Sequence, residues 1–346
     1  MFDRENSCRG FGGTISQAPA GRTCPSANKN PLGSTEMLLG LRPCRATCRG
    51  FSLVELLTSC AILMVIVGGI ISVVSSNELI SARTEQQSDM YENVRGAAEL
   101  MEQEIGQAGL VSLPSSTLSA AVTSSGTAQS ASVSSTTSMF VGEKVLVDAG
   151  TKEELVALTA VTSTSISGIF TISHASGASI AALGVYPNGV VVPGTTDGST
   201  SVAEPGSSVL NMFGDINSDG SLVYIRYTCN TSTTPGTLTR SVTTITPGVN
   251  TIGTAQTLLS TLVPNPSGAA CFQYTTTTVS GQSFVTNVAV TLSARTLNLD
   301  PQTNQYLTMT KSFLDMSPRN INAAFELANA SISNRLQATP PNVLLY

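Results

Sequence analysis

The chain has 346 residues, enough for more than one domain, with 17 Lys and Arg against 22 Asp and Glu, one His and no Trp. Low charge and abundant Ser, Thr and Gly suit β-structure exposed outside a cell better than a helical cytosolic enzyme. Seven of the basic side chains (Arg4, Arg9, Arg22, Lys29, Arg42, Arg45, Arg49) but only three acidic ones (Asp3, Glu5, Glu36) lie in residues 1–50. The remainder is therefore acidic, with ten basic against nineteen acidic groups, and no direct nucleic-acid partner is expected, because phosphate contacts need clustered Lys and Arg.

Residues 1–36 show no periodicity and many turn formers. A basic stretch then ends at Arg49-Gly50, and Phe51-Ser52-Leu53-Val54-Glu55-Leu56-Leu57 opens an apolar run to about Val74. Roughly two dozen mostly apolar residues span a bilayer as a helix. A carboxylate near the start of such a run is costly and calls for a partner. Arg42, Arg45 and Arg49 keep the preceding side cytoplasmic, so everything after about Ser76 is exported.

Glycine, phenylalanine, glutamate at this spacing and the apolar run together resemble the class III leader of type IV pilins and type II secretion pseudopilins. The resemblance implies that a prepilin peptidase cuts between Gly50 and Phe51 and methylates the new amine of Phe51. It also implies that Glu55 is needed for assembly. The cut precedes the apolar stretch, unlike that of an ordinary secretory signal, so the helix stays with the mature protein. Residues 1–50 are then a leader. Fifty residues is long for this family, and Met37 begins a more ordinary leader, so either translation starts at Met37 or residues 1–36 lack order.

Residues 51–110 read as one long helix, membrane-spanning at about 51–75. Gly68-Gly69 weakens it locally. Beyond the span, Met90, Val94, Ala97, Met101, Ile105 and Ala108 recur at steps of four and three and draw one stripe, the face that packs on a sheet. Arg95 has Glu92 and Glu99 at helical spacing. Gly106, Gly109 and Pro114 end the helix. The segment Met101-Glu-Gln-Glu-Ile-Gly-Gln-Ala-Gly-Leu110 resembles the helix end of PilW-type minor pilins, with Gly106 where an arginine is usual.

Residues 111–138, rich in Ser, Thr and Ala, read as a linker or weakly specified strands. Residues 139–184 read as a small β insert, with strands at 139–147, 154–161 and 165–172 and turns at Asp148-Ala-Gly150 and Ser176-Gly177. His174 at its end is expected to be exposed and has no assigned role. Residues 185–206 form a Pro- and Gly-rich loop, which opens a β-sheet domain with a C-terminal tail over 185–346. Its strands are expected at 221–229, 237–244, 271–278, 284–296 and 305–313, with Thr234-Pro235-Gly236 as a hairpin turn. Residues 320–336 suit a short helix. The fold class is therefore α+β and pilin-like: a long N-terminal helix packed on an antiparallel sheet, with a small β-rich insert.

Seven cysteines divide along the same boundary. Cys8, Cys24, Cys44 and Cys48 precede the cut, and Cys60 lies in the apolar helix. Only Cys229 and Cys271 are exported, which invites one disulfide, the alternative being two free thiols. Gly214-Asp215-Ile-Asn217-Ser-Asp219-Gly220-Ser221 resembles the first half of an EF-hand calcium loop. Asp215, Asn217 and Asp219 would be the side-chain ligands and Ser221 would offer its carbonyl. The bidentate Glu position holds Arg226, and a plain Asp/Asn/Gly turn is the favoured alternative. No cofactor is otherwise expected. No nucleophile–base pair, phosphate loop or zinc motif is present, so no enzymatic activity is expected.

The resemblance implies a minor pilin that acts in filament assembly as an initiation or tip subunit. Its expected partners are the prepilin peptidase, other minor and major pilins or pseudopilins, and an inner-membrane assembly platform. It would sit in the inner membrane as a single-pass protein with its C-terminal domain in the periplasm, and then in a pilus or pseudopilus at the surface. The alternatives are a J-type type II secretion pseudopilin and a filament-tip adhesin.

Overall fold

The computed structural model describes residues 51–150, 152–193, 206–246, 249 and 251–346. The expected leader, with Met37, Gly50, Cys8, Cys24, Cys44 and Cys48, lies outside the described residues, as does part of the Pro- and Gly-rich stretch. The chain divides into two compact units, Met1–Leu63 and Met64–Tyr346.

In the first unit the described residues are Phe51, Ser52 and the opening turns of helix α1, which spans Leu53–Gln107. Every side chain there is exposed. In the second unit, the helix is exposed from Met64 to Ser81 and half-buried at Ala82, Arg83 and Gln86 before an amphipathic stripe begins. Met90, Val94, Ala97, Met101, Ile105 and Ala108 are all buried, as their spacing predicts, together with Ala98. They enter one core with the large sheet and with Ile321 and Ala324 of a second helix, α2 (Arg319–Asn329). Each fully buried Val, Ile or Met contributes about 1.5–3 kcal/mol relative to exposure, so this stripe is what fastens the helix to the sheet. The helix runs unbroken through Gly68 and Gly69.

Short strands form the small β unit. They are β1 (Ser116–Thr117), β2 (Gln129–Ser132), β3 (Lys144–Val147), β4 (Glu154–Ala157), β5 (Ala160–Val161), β6 (Ser165–Gly168) and β7 (Ser179–Ala182). They pair antiparallel as β1-β7-β3-β4 and β2-β6-β5. Their shared core joins Leu118, Val122, Ala131 and Val133 to Val145, Val156, Ile166, Phe170 and Ile180. The stretch 111–138 therefore supplies strands and core to this unit. Its few apolar residues, each flanked by Ser, Thr or Ala, hold it there together with the pairing of β1 on β7 and of β2 on β6.

The large sheet is built from β8 (Val209–Gly214), β9 (Val223–Asn230), β10 (Gly236–Thr244), β11 (Gln256–Leu262), β12 (Phe272–Val279), β13 (Gln282–Arg295) and β14 (Thr308–Met316). The order is β12-β13-β11-β10-β9-β8, with β14 also on β13 and all pairs antiparallel. The long strand β13 joins two halves of the sheet. Val288 and Val290 pair with β12 on one side and β14 on the other, whereas Ala294 pairs with Leu262 of β11 and Met309 of β14. Along one edge of β13, β11 thus takes over where β12 stops. The hairpin turn and the alternating strands fall within a few residues of where the sequence pattern puts them and the tail helix ends earlier, at Asn329, while β8 and β11 were not expected.

The end of α1 is stitched to both neighbours. Gly109 has φ +81, donates its N–H to Phe213 O at 2.9 Å and accepts the N–H of Tyr186 at 2.9 Å. A Cβ at Gly109 would lie 2.8 Å from Tyr186 O, so only glycine fits both the backbone angle and the space. A strap after α2 ties the small unit to the rest. Gln337 accepts the Lys144 N–H at 2.9 Å and donates to Lys144 O at 2.7 Å, and Lys144 Nζ donates to Ser333 O at 2.8 Å.

Candidate functional site

The opening of α1 has a simple local cause. The backbone N–H of Ser52 donates to Glu55 Oε2 at 3.1 Å, and Leu56 N–H donates to Ser52 O at 3.1 Å. This is one half of a capping box: a Ser before the first turn and a Glu three residues on whose carboxylate reaches back to an otherwise unpaired N–H. The carboxylate also lies at the positive end of the helix. Phe51 is 85% exposed and Glu55 is exposed, so both are open to a partner. The residues after them make α1 long and apolar enough to cross a membrane, with none of that stretch buried.

A second carboxylate of α1 is the opposite case. Glu104 is buried, accepts the Tyr227 hydroxyl of β9, and pairs with Arg240 of β10, whose Nε–H donates to it at 3.2 Å. Burial pulls the Arg240 guanidinium down, but the Glu104 carboxylate outweighs it and holds it above the ordinary value. Tyr227 is pushed up by burial and by the charge of Glu104. The sequence carried a signal for this residue that the apolar stripe hides: Ala97, Met101, Glu104 and Ala108 also step by four, three and four. The exposed Arg95 pairs instead with Glu99 at 2.6 Å.

Of the Asp215 loop's candidate side-chain ligands only Asp215 is turned inward, while Asn217 and Asp219 are exposed. Asp215 is 1% exposed; its carboxylate accepts the Ser112 hydroxyl and the N–H groups of Asp219 and Gly220, each of the latter at 3.0 Å. Asp219 Oδ1 accepts the Ser221 N–H at 2.8 Å. Arg226 donates to Asn211 Oδ1 at 3.2 Å and to Tyr346 O at 2.6 Å. Among the described residues, no three His, Cys, Asp or Glu side chains converge as metal ligands would.

Cys229, at the end of β9, and Cys271, just before β12, form a disulfide. It links the two halves of the sheet that β13 bridges. Cys271 is held in place by Thr291 N–H, which donates to its carbonyl at 2.9 Å.

His174 corrects the expectation of an exposed histidine: it is 2% exposed, with Nε2 2.9 Å from Glu154 Oε2. Burial raises the Glu154 carboxyl, but hydrogen bonds from Thr171, His174 and the backbone of Thr171 and Ile172 outweigh it and leave the group below its ordinary value. Glu143 has no such help. It is fully buried, and burial pushes its carboxyl up to about 8 against a single N–H from Phe140.

Residues 45–71 match the family model of the prokaryotic N-terminal methylation motif. The match takes in Gly50, Phe51, Glu55 and most of the apolar run, and it supports a type IV pilin-like prepilin, a structural protein of the pilin type, processed by a prepilin peptidase and associated with pilins. With one long apolar helix it suggests membrane anchoring. The helix and antiparallel sheets make an α+β arrangement consistent with a pilin-like fold. No curated protein and no solved structure matches the chain.

Proposed function

We propose that this protein is a minor pilin of a type IV pilus, made as a precursor with residues 1–50 as leader, and that it acts in filament assembly as an initiation or tip subunit. Prepilin peptidase cuts after Gly50 and methylates Phe51. The mature chain waits in the inner membrane with residues beyond the span in the periplasm, and joins other pilins through the assembly platform. The observation that carries this reading is the run of the methylation motif into a helix that is exposed and apolar first and sheet-bound later. In the filament the new amine of Phe51, on the same or an adjacent subunit, lies beside Glu55. A cation–carboxylate pair offsets the desolvation cost that either charge carries alone in an apolar setting. Mass spectrometry of the mature protein from a host with its own prepilin peptidase tests this: an N-terminal N-methyl-Phe51 supports it, and cleavage after the apolar run removes it.

A filament-tip binding module is the second reading. It is favoured by a groove of about 540 Å³ along the free edge of β4, lined by Leu155, Ala157, Ile169 and Ile172 with Glu153 and Thr159 at its polar rim. Charged substitutions at Ile169 and Ile172 that keep piliation but abolish surface binding would establish it.

A further inference from the structure

The small β unit is nearly free of charge. Between residues 111 and 182 the titratable side chains are Glu143, Lys144, Asp148, Lys152, Glu153, Glu154 and His174. Two of the four carboxylates bracket the single histidine. Nε2 of His174 lies 2.9 Å from Glu154 Oε2 on β4, and Nδ1 lies 3.6 Å from Asp148 Oδ2 in the turn after β3. The ring meets Phe170 edge-on, with centroids 6.2 Å apart. Its backbone exchanges two hydrogen bonds with Val122, both 2.9 Å, in a segment (111–138) that brings no charged side chain. Glu154 cannot swing away, since it also accepts the hydroxyl of Thr171 and the N–H groups of Thr171 and Ile172.

A neutral imidazole has one N–H and one lone pair, whereas the imidazolium has two N–H groups. With a carboxylate at each nitrogen, either neutral tautomer sets its lone pair against a carboxylate oxygen. Only the doubly protonated ring faces both partners with a donor, and at low exposure that difference is weakly screened.

We infer that His174 is a proton-operated latch of the small β unit: the imidazolium holds β4 and the turn after β3 onto the 170–174 segment, and loss of one ring proton loosens that corner. Glu143 is a second buried titrating group of the same unit, so the test belongs in a Glu143→Gln background. Because the chain has one histidine, its imidazole gives one pair of ¹⁵N signals in the mature protein in detergent micelles. The expected result is a ring with two N–H groups at the acid end. Amide protection at 148–150, 152–154 and 170–174, corrected for the intrinsic pH dependence of exchange, then falls several-fold over the same pH range in which the ring loses a proton. With His174→Gln the corrected protection is flat. Should that variant not fold, Asp148→Asn keeps the ring and Glu154, and shifts the imidazole titration to lower pH. A ring with a single N–H throughout, protection that falls alike with and without His174, or a titration unmoved by Asp148→Asn would each overturn the latch.

Discussion

Arg240 of β10 reaches across a sequence separation of 136 residues to lay its guanidinium on Glu104 near the end of α1, with Nε 3.2 Å from Oε2. The pair fixes where along the sheet the helix sits, which an apolar stripe alone leaves free to slide. Breaking a buried pair from one side is costly because the other charge stays behind. Glu104→Gln is therefore expected to destabilise the protein by about 3 kcal/mol, measured by chemical unfolding in detergent. Replacing both partners by Leu costs much less than twice that, since no charge remains to be desolvated. A double Leu variant that loses as much as Glu104→Leu and Arg240→Leu added together would show that the pair does not act as a unit.

The Cys229–Cys271 disulfide spans 42 residues of sequence. Closing a loop of that length in the unfolded chain corresponds to about 4 kcal/mol in the chain-entropy account. Cys229 lies in β9 and Cys271 is tied to β13 by the Thr291 N–H, so Cys229→Ser with Cys271→Ser is expected to keep the fold at low temperature but lower the thermal midpoint markedly. Circular dichroism of the double variant against the oxidised protein checks this.

These two contacts mark what the sequence could and could not reveal. The stripe from Met90 to Ala108 was legible because apolar residues at a 3.6-residue period fall on one face of a helix, and such a face is buried. The disulfide was legible because four cysteines precede Gly50 and Cys60 lies in the apolar helix, which leaves only Cys229 and Cys271 on the side expected to be exported. Glu104 was not, because a glutamate on an amphipathic helix ordinarily belongs to the wet face. Only its partners on β9 and β10, more than a hundred residues on, make it part of the core. Strand β2 was hidden for another reason: Gln129-Ser-Ala-Ser132 alternates between Ser and Ala, which carries almost no hydrophobic contrast. His174 looked exposed amid Ser, Thr and Gly, and its burial depends on carboxylates 20 and 26 positions earlier in the chain.

Glu55→Ala removes both the acceptor for the Ser52 N–H and the proposed partner of the Phe51 amine. Loss of that acceptor alone leaves the Ser52 N–H to solvent, a local effect at an exposed end. The expected outcome is normal cleavage and N-methylation with sharply reduced incorporation into filaments, read from mass spectrometry and from sheared pili. Glu55→Gln separates the two roles, because an amide oxygen still accepts the Ser52 N–H but carries no charge. Incorporation of the Gln variant at the wild-type level would show that Glu55 serves only as a cap.

Asp215 is committed to the Ser112 hydroxyl and two backbone N–H groups, so Asp215→Ala is expected to cost about 1–3 kcal/mol whether or not calcium is present, through buried donors left unpaired. The same commitment leaves little of this carboxylate for a cation, and the wild-type thermal midpoint is expected to be equal in millimolar calcium and in chelator. A rise with calcium that disappears in Asp219→Ala would instead establish the site formed by Asp215, Asn217, Asp219 and the Ser221 carbonyl.

Glu143 gives the protein a pH dependence of known sign. Burial raises its carboxyl from 4.5 to about 8 in the folded state. The native protein therefore holds a proton that the unfolded chain releases between those limits. Stability from this group is fully present below pH 4.5 and is lost as pH rises through about 8. Glu143→Gln keeps the shape and the hydrogen bond from Phe140 without a titrating proton. Unfolding free energies measured from pH 5 to 9 should decline for the wild type by on the order of a few kcal/mol relative to the Gln variant. The two curves should converge at the acid end and separate towards the alkaline one. Parallel curves would mean that Glu143 gains a counter-charge or water when it ionises, and that its burial does not govern its proton.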